Sequence, residues 1–259
     1  MTNTKNLFAL DGRTALVTGG SRGLGLQIAE ALGEQGARVV ISSRKADSLR
    51  SAQERLSARG IKCEWIAADS SREEEVLRLA DEALERVGTI DILVNNAGAT
   101  WGSPAEDLPL AAWDKVMNLN VRSLFLLSQQ IGKRSMLPAG YGRIINLASI
   151  AGMKGNAPTG AKTIAYNTSK AAVINFTRAL GAEWAPHGIT VNALAPGFFP
   201  SDMTRGTLEK RLDSITARIP QGRIGDENDL KGAALLFASD AGKHITGQIL
   251  AVDGGATAI

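Results

Sequence analysis

Cysteine is almost absent: Cys63 is the only one in 259 residues, so no disulfide can form within the chain. That fits a reducing compartment, and its place in an apolar run marks Cys63 as a small buried filler rather than a nucleophile. Long hydrophobic runs are missing too. No stretch approaches the roughly 20 apolar residues that a membrane span needs, and Met1–Leu10, with one lysine and no apolar core, is not a secretory leader. No membrane partner is expected, and the expected location is the cytoplasm. Aromatic residues are scarce at 5%, and although the net charge is +3, Lys and Arg never form more than pairs such as Lys133-Arg134 and Lys210-Arg211. A nucleic-acid surface concentrates charge on a stripe with aromatic platforms, so no nucleic-acid partner is expected. No metal is expected either.

What the chain does have is glycine, 28 residues, and a hydrophobic share of 44% that can build a sizeable core. Apolar runs of strand length alternate with segments of helical period. Strands are expected at Thr14–Val17, Arg38–Ser42, Lys62–Ala67, Ile90–Val94, Arg143–Leu147, Thr190–Leu194 and Gln248–Val252. Helices are expected from the glycine turn to Gln35, over Asp47–Ala58, Arg72–Val87, Ala111–Leu137, Thr163–Trp184 and Glu227–Ala238. Repeated strand–helix–strand units with right-handed crossovers give a doubly wound, mostly parallel sheet with helices on both faces. No linker divides the chain, so residues 1–259 read as one α/β dinucleotide-binding domain. Two long irregular segments, Ala151–Lys162 and Pro196–Thr207, are reserved for substrate, because such loops inside a compact fold are usually lids or binding loops.

Thr18-Gly19-Gly20-Ser21-Arg22-Gly23-Leu24-Gly25 lies between the first strand and the first helix. Glycines let the backbone turn tightly against a pyrophosphate, and the helix N-terminus offers unpaired N–H groups and a partial positive charge. The end of the second strand selects the cofactor. An acidic residue there would accept from a ribose 2′-hydroxyl and repel a 2′-phosphate. Here the strand ends Ser42-Ser43-Arg44, with no carboxylate before Asp47, and Ser43 stands 18 residues after Gly25. Arg44 and Arg22 could clamp a phosphate by charge-assisted hydrogen bonds, while Asp47 reads as a helix N-cap. The expected cofactor is therefore NADP(H).

Tyr166-Asn167-Thr168-Ser169-Lys170 puts a phenol and an ammonium one helical turn apart on the same face. A tyrosine working near pH 7 needs its pKa lowered by roughly three units, or about 4 kcal/mol, from the usual value near 10. A cation about 4 Å away supplies that order of energy at an effective dielectric near 20.

With these residues in place, the chain resembles the short-chain dehydrogenase/reductase family over essentially its whole length. The resemblance rests on the glycine turn, on Asn95-Asn96-Ala97-Gly98, on Asn120, Ser149, Tyr166 and Lys170, on Pro196-Gly197 and on Asp253-Gly254-Gly255. It implies a seven-stranded Rossmann-type sheet and an oxidoreductase that interconverts a ketone and a secondary alcohol. Ser149 would hydrogen-bond the substrate oxygen, Tyr166 would give it a proton, and Lys170 would bind the nicotinamide ribose and depress the Tyr166 pKa. Asn120 would hold a water that relays protons to Lys170. The resemblance further implies cofactor contacts from Gly19, Ser21, Arg22, Gly23, Leu24, Gly25, Ser43, Arg44, Asp69, Asn96, Ala97, Gly98, Pro196, Gly197, Phe199 and Ser201. It also implies a homotetramer that pairs the helices near Ala111–Leu137 and Thr163–Trp184.

3-Oxoacyl-thioester reductases and gluconate 5-dehydrogenase-like sugar reductases share these motifs, and a catalytically silent dinucleotide sensor is the rival of another class. The departure is Met153–Lys162, an apparent insertion between Ser149 and Tyr166. It is expected to form one wall of the substrate pocket.

Overall fold

A strand that is apolar on both sides can only sit inside a sheet covered on both faces. The computed structural model describes residues 3–259, so the first two residues of the Met1–Leu10 segment lie outside it. Its strands are β1 (Thr14–Thr18), β2 (Arg38–Ser43), β3 (Cys63–Ala67), β4 (Ile92–Asn95), β5 (Gly142–Leu147), β6 (Ile189–Pro196) and β7 (Ile249–Val252). They form one seven-stranded sheet in the order β3-β2-β1-β4-β5-β6-β7, each neighbouring pair parallel. The winding direction reverses between β1 and β4, and a crevice opens at the carboxyl ends of the strands at such a switch point.

The helices are α1 (Gly23–Glu34), α2 (Ala46–Ser57), α3 (Glu73–Val87), α4 (Leu110–Met117), α5 (Ser123–Ile131), α6 (Leu137–Ala139), α7 (Ile164–Trp184), α8 (Arg205–Thr216) and α9 (Lys231–Ala238). One face of the sheet is closed by α1, α2 and α9, which bury Ile28, Leu32, Leu49, Leu56 and Phe237 against Val39, Ile41 and Ile145. The opposite face takes α3 and α5, with Leu79 and Leu127 against Val40, Leu93 and Ile144, and α7, with Val173 against Ala193. Neighbouring residues of β2 thus feed opposite cores, which is the period of two that a pleated strand imposes. Cys63 is buried on the first face, and burial pushes its thiol up to about 12, so it stays protonated and inert at neutral pH. No helix among the described residues is long and apolar enough to cross a membrane.

Four sequence expectations need correction. The Ala111–Leu137 helix is interrupted by π-turns at Asn118–Arg122 and Gly132–Met136. In the first of these Ser123 Oγ takes up the Leu119 carbonyl at 2.6 Å. α9 begins at Lys231 rather than Glu227, because Asp229 accepts from the Asp226 N–H and from Arg223 and holds the preceding residues in a turn. Asp47 is not an N-cap: Lys45 occupies that position, and Asp47 lies within the first turn, facing Arg50. The Pro196–Thr207 loop is shortened at both ends, since β6 runs to Pro196 and α8 starts at Arg205.

Candidate active site

The glycine turn follows β1 into α1, with Gly19 and Gly23 in the left-handed region at φ 64° and 54°. Gly25 is required for a different reason: a Cβ there would lie 2.4 Å from the Gly19 carbonyl oxygen. The turn is stapled to the end of β4. The Asn96 side-chain amide donates to the carbonyls of Thr18 and Gly19 at 2.9 and 3.1 Å, and Thr18 Oγ1 accepts from the N–H groups of Asn96 and Ala97 at 3.0 and 3.1 Å. Arg22 is the N-cap residue of α1 and its side chain makes no cap bond, so the first N–H groups of the helix face the crevice uncapped by it. Asn96, expected beside the adenosine ribose, lines the cleft but spends its amide holding the turn.

A cleft of about 870 Å³ runs across the carboxyl ends of the strands, from Ser43, Arg44 and Asp69 past Gly19, Ser21, Arg22, Gly23, Leu24, Asn96, Ala97 and Gly98 to Ser149, Tyr166 and Lys170. At the β2 end, the Ser43 hydroxyl is buried with no hydrogen-bond partner. Arg44 and Lys45 flank it, and the Asp47 side chain is 97% exposed, turned to solvent. An unpaired donor, two cations and no carboxylate at the strand end fit an anionic group there. Lys45 was not singled out from the sequence, although its place beside Arg44 could have suggested it. Asp69 Oδ1 accepts from the N–H and hydroxyl of Ser71 at 3.0 and 2.8 Å, so this residue both caps the turn before α3 and lines the cleft.

At the other end, Ser149 leaves β5 in extended conformation and accepts from the Ala151 N–H at 3.1 Å. Its hydroxyl also hydrogen-bonds Tyr166, which counteracts the stronger effect of burial on the phenol. Burial wins, and the Tyr166 pKa is raised. Lys170 Nζ lies 5.6 Å from the ring centroid and donates to the Leu147 carbonyl at 2.5 Å. Lys170 is 5% exposed, and burial brings its pKa down to about 8. Burial shifts both groups toward their neutral forms because the site is dry.

Asn120, in the first π-turn, pairs its amide with both backbone groups of Ala99 at 2.8 and 2.9 Å and donates to Ser169 Oγ at 2.9 Å. Ser169 Oγ in turn donates to the Tyr166 carbonyl at 2.7 Å. Both amide protons are thus used within the protein, and the side chain ties the loop after β4 to the helix that carries Tyr166.

The lid after β6 is anchored where the Gly197 N–H donates to the Val252 carbonyl at 2.9 Å. A Cβ on Gly197 would meet Asp253 at 2.9 Å, so Pro196-Gly197 and Asp253-Gly254-Gly255 pack as one corner. Phe199 is 3% exposed and packs into the core beside Gly225 while lining the cleft. Ser201 and Thr204 bond each other's N–H and hydroxyl groups, forming a rigid knuckle. Asp202 pairs with Arg22 of the glycine turn and with Arg205. Met203, Leu208 and Glu209 complete this wall. Asp202 and the α8 residues were missed because no short motif marks them.

Among the described residues none of 153–162 lines the large cleft; Met153 borders a second, smaller cavity instead. The segment turns back on itself because Asn156 donates to the Ala161 carbonyl at 2.8 Å and to Thr163 Oγ1 at 3.0 Å. It touches both lips of the cleft: its Lys162 carbonyl accepts from the Ser103 N–H at 2.8 Å, and its Thr159 carbonyl from Arg211 of α8 at 3.3 Å. It is a strut between the two lips and not a wall of the cleft.

Comparison with known proteins agrees with this geometry. A family model described as enoyl-(acyl carrier protein) reductase matches residues 19–257. The rhamnolipids biosynthesis 3-oxoacyl-[acyl-carrier-protein] reductase of Pseudomonas aeruginosa is 43% identical, over 96% of this chain and 97% of that protein. The gluconate 5-dehydrogenase of Gluconobacter oxydans is 40% identical, over 97% of each. Among solved structures, a gluconate 5-dehydrogenase from Burkholderia cenocepacia in complex with NADP and tartrate superposes with a TM-score of 0.93 at 35% identity, covering 99% of this chain and 100% of that one. Sheet order, cleft and relatives converge on one conclusion: the chain is an oxidoreductase that transfers hydride between a dinucleotide cofactor and a ketone or alcohol, and it belongs to the short-chain dehydrogenase/reductase family.

Proposed function

We propose that this enzyme uses NADPH, in one 259-residue catalytic domain, to reduce ketones set in neutral, apolar chains such as 3-oxoacyl thioesters. The observation that carries the substrate class is the lid-side lining of the cleft that also holds Tyr166. Ala148, Phe199, Met203 and Leu208 line it, its cation Arg205 is already paired with Asp202, and Glu209 adds a negative charge. Among the described residues lining this cleft near Tyr166, a keto-sugar acid would find only Lys170 without a carboxylate partner. Lys170 is assigned to the nicotinamide ribose and the Tyr166 phenolate, so the substrate carboxylate would stay uncompensated, which a dry site strongly disfavours. For the cofactor, the support is the unpaired Ser43 hydroxyl between cationic neighbours at the end of β2. Gly19, Ser21, Gly23, Leu24 and Gly25 would hold the pyrophosphate, Ser43, Arg44, Lys45 and Arg22 the 2′-phosphate, and Asp69, Ala97 and Gly98 the adenosine. Pro196, Gly197, Phe199 and Ser201 would border the nicotinamide, which supplies the hydride when bound.

The chain's own residues then handle the proton. Ser149 fixes the carbonyl oxygen, and Tyr166 donates from Oη. Its raised pKa keeps the phenol protonated at neutral pH, the form that reduction requires. Lys170, mostly charged below pH 8, faces the phenolate that remains and lowers its energy. Asn120 positions the Tyr166 helix through Ser169. We further propose a homotetramer in the cytoplasm. Phe125 is 45% exposed and meets Phe176 edge-on at 6.4 Å, so α5 and α7 present apolar surface together. Light scattering checks the assembly.

The substrate class is tested by kcat/KM for a 3-oxoacyl thioester and for a keto-sugar acid at saturating NADPH. The thioester is expected to lead by at least about tenfold. A preference for the sugar acid would overturn the substrate assignment, and no turnover of any ketone would favour the silent sensor.

A further inference from the structure

Asp202 is shared by two arginines that belong to different parts of the molecule. Arg205 stands three residues further along the lid, whereas Arg22 projects from the glycine turn across the cleft. The two sides approach closely here: a Cβ on Gly23 would lie 3.9 Å from the Ser201 Cβ. The Ser201–Thr204 knuckle presents the carboxylate from a fixed turn. The Arg22 side chain is 66% exposed, so it can swing without unpacking anything.

A cofactor entering this cleft brings two kinds of phosphate. The pyrophosphate, common to NADH and NADPH, can be held by the N–H groups at the start of α1. The 2′-phosphate of NADPH has no such backbone partner and falls to side chains, Arg22 among them. With nearly two charges and three acceptor oxygens, it competes for a guanidinium better than a carboxylate does. We propose that Asp202 is a latch that sets cofactor preference: it holds Arg22 against the lid until the 2′-phosphate of NADPH takes that arginine, which frees the lid from the glycine turn, while NADH leaves the latch closed. The proposal rests on the assignment of NADPH made above. Arg205 is what makes the exchange possible. When Arg22 leaves, Asp202 keeps one cation and is not stranded without a partner.

The test is a pair of titrations, NADPH and NADH, on the wild type and on Asp202→Asn, with hydrogen exchange of the lid amides 200–208. Exposed ion pairs are weak, so Asp202→Asn should tighten NADPH about two- to fivefold and leave NADH unchanged. Either nicotinamide covers part of the lid, so the two cofactors are compared with each other: in the wild type, lid exchange should be faster with NADPH bound than with NADH bound, and in the variant it should be the same with both. Weaker or unchanged NADPH binding, an equal shift for both cofactors, or wild-type lid exchange that is no faster with NADPH bound than with NADH bound would overturn the latch. A wild type that binds NADH as tightly as NADPH would overturn the cofactor assignment and the latch with it. Retained NADPH preference with no response to Asp202→Asn would remove the latch alone. Asp202 is 40% exposed, and equal thermal midpoints would show that the variant is folded.

Discussion

The two ends of the cleft are built differently. The cofactor end is made of strand termini, and its key side chains bond backbone: Thr18 and Asn96 between them make five hydrogen bonds that lock β1 to β4. The substrate end sets Tyr166 in a buried frame of Asn120, Ser169 and Lys170, but its lid, its α8 helix and its strut are joined across the cleft only by ion pairs and single bonds at the surface. Buried backbone bonds tolerate no substitution without leaving a group unpaired, whereas an exposed ion pair contributes only about 0–1 kcal/mol. Cofactor chemistry is thereby fixed by the sheet, and substrate choice is left to parts that change at little energetic cost.

This contrast can be broken most sharply at the junction of the two ends. Tyr166→Phe should abolish ketone reduction by at least about a hundredfold while NADPH binding is kept, since a positioned acid contributes roughly 10²–10⁴-fold. Steady-state rates beside a fluorescence titration decide it, and a variant above a hundredth of wild-type rate would remove Tyr166 as the proton donor. At the cofactor end, Arg44→Ala should lower the NADPH-over-NADH preference by roughly ten- to a hundredfold, the range of a charge-assisted bond. Equal losses for both cofactors, measured as dissociation constants, would contradict a 2′-phosphate site. Between the ends lies Lys170. Its pKa of about 8 predicts that kcat/KM for NADPH, which reports the free enzyme, falls about tenfold between pH 7 and 9. A flat profile over that range would show that the lysine charge is not needed. The smallest effect is expected at the substrate end. Arg211→Ala removes the bond from α8 to the strut and should shift the ranking of ketone substrates about two- to fivefold with NADPH affinity unchanged. A change in cofactor affinity instead would show that the two ends are not separable.

The difference between the ends also explains what was legible in the sequence. The strands were readable because each is a buried apolar run, and the glycine turn because its backbone geometry demands glycine at Gly19 and Gly25. The lid was not. α8 has a single buried residue, Ile215, so it carries no strong apolar stripe, and the kink at Arg211 breaks its period. Its order comes from contacts with the glycine turn and with Thr159, partners that lie far away in sequence. The path of 153–162 was misjudged for a similar reason. Tethers at Ser149 and Tyr166 place it near the cleft, but Asn156 folds it back through local bonds. The tyrosine–lysine spacing places both groups on one helix face, yet spacing says nothing about how dry the site is, and burial acts on the Tyr166 phenol in the opposite direction to a nearby cation.

Lys170 has a consequence for the durability of the enzyme as well as for its rate. Burial brings its pKa in the folded chain to about 8, below the usual 10.5, so between those values the unfolded chain binds more protons than the folded one. Stability contributed by this group therefore rises as the solution is made alkaline, by up to roughly 3 kcal/mol over that window. The same proton that the active site needs is one the fold would rather release. Between about pH 8 and 9, below the range where the buried Cys63 thiol acts in the opposite sense, alkali should leave an enzyme that is harder to melt and slower to turn over. Lys170→Met should resemble that state at neutral pH, inactive but more heat-resistant in calorimetry. A lower melting temperature for the variant would mean that the bond to Leu147 outweighs the buried charge.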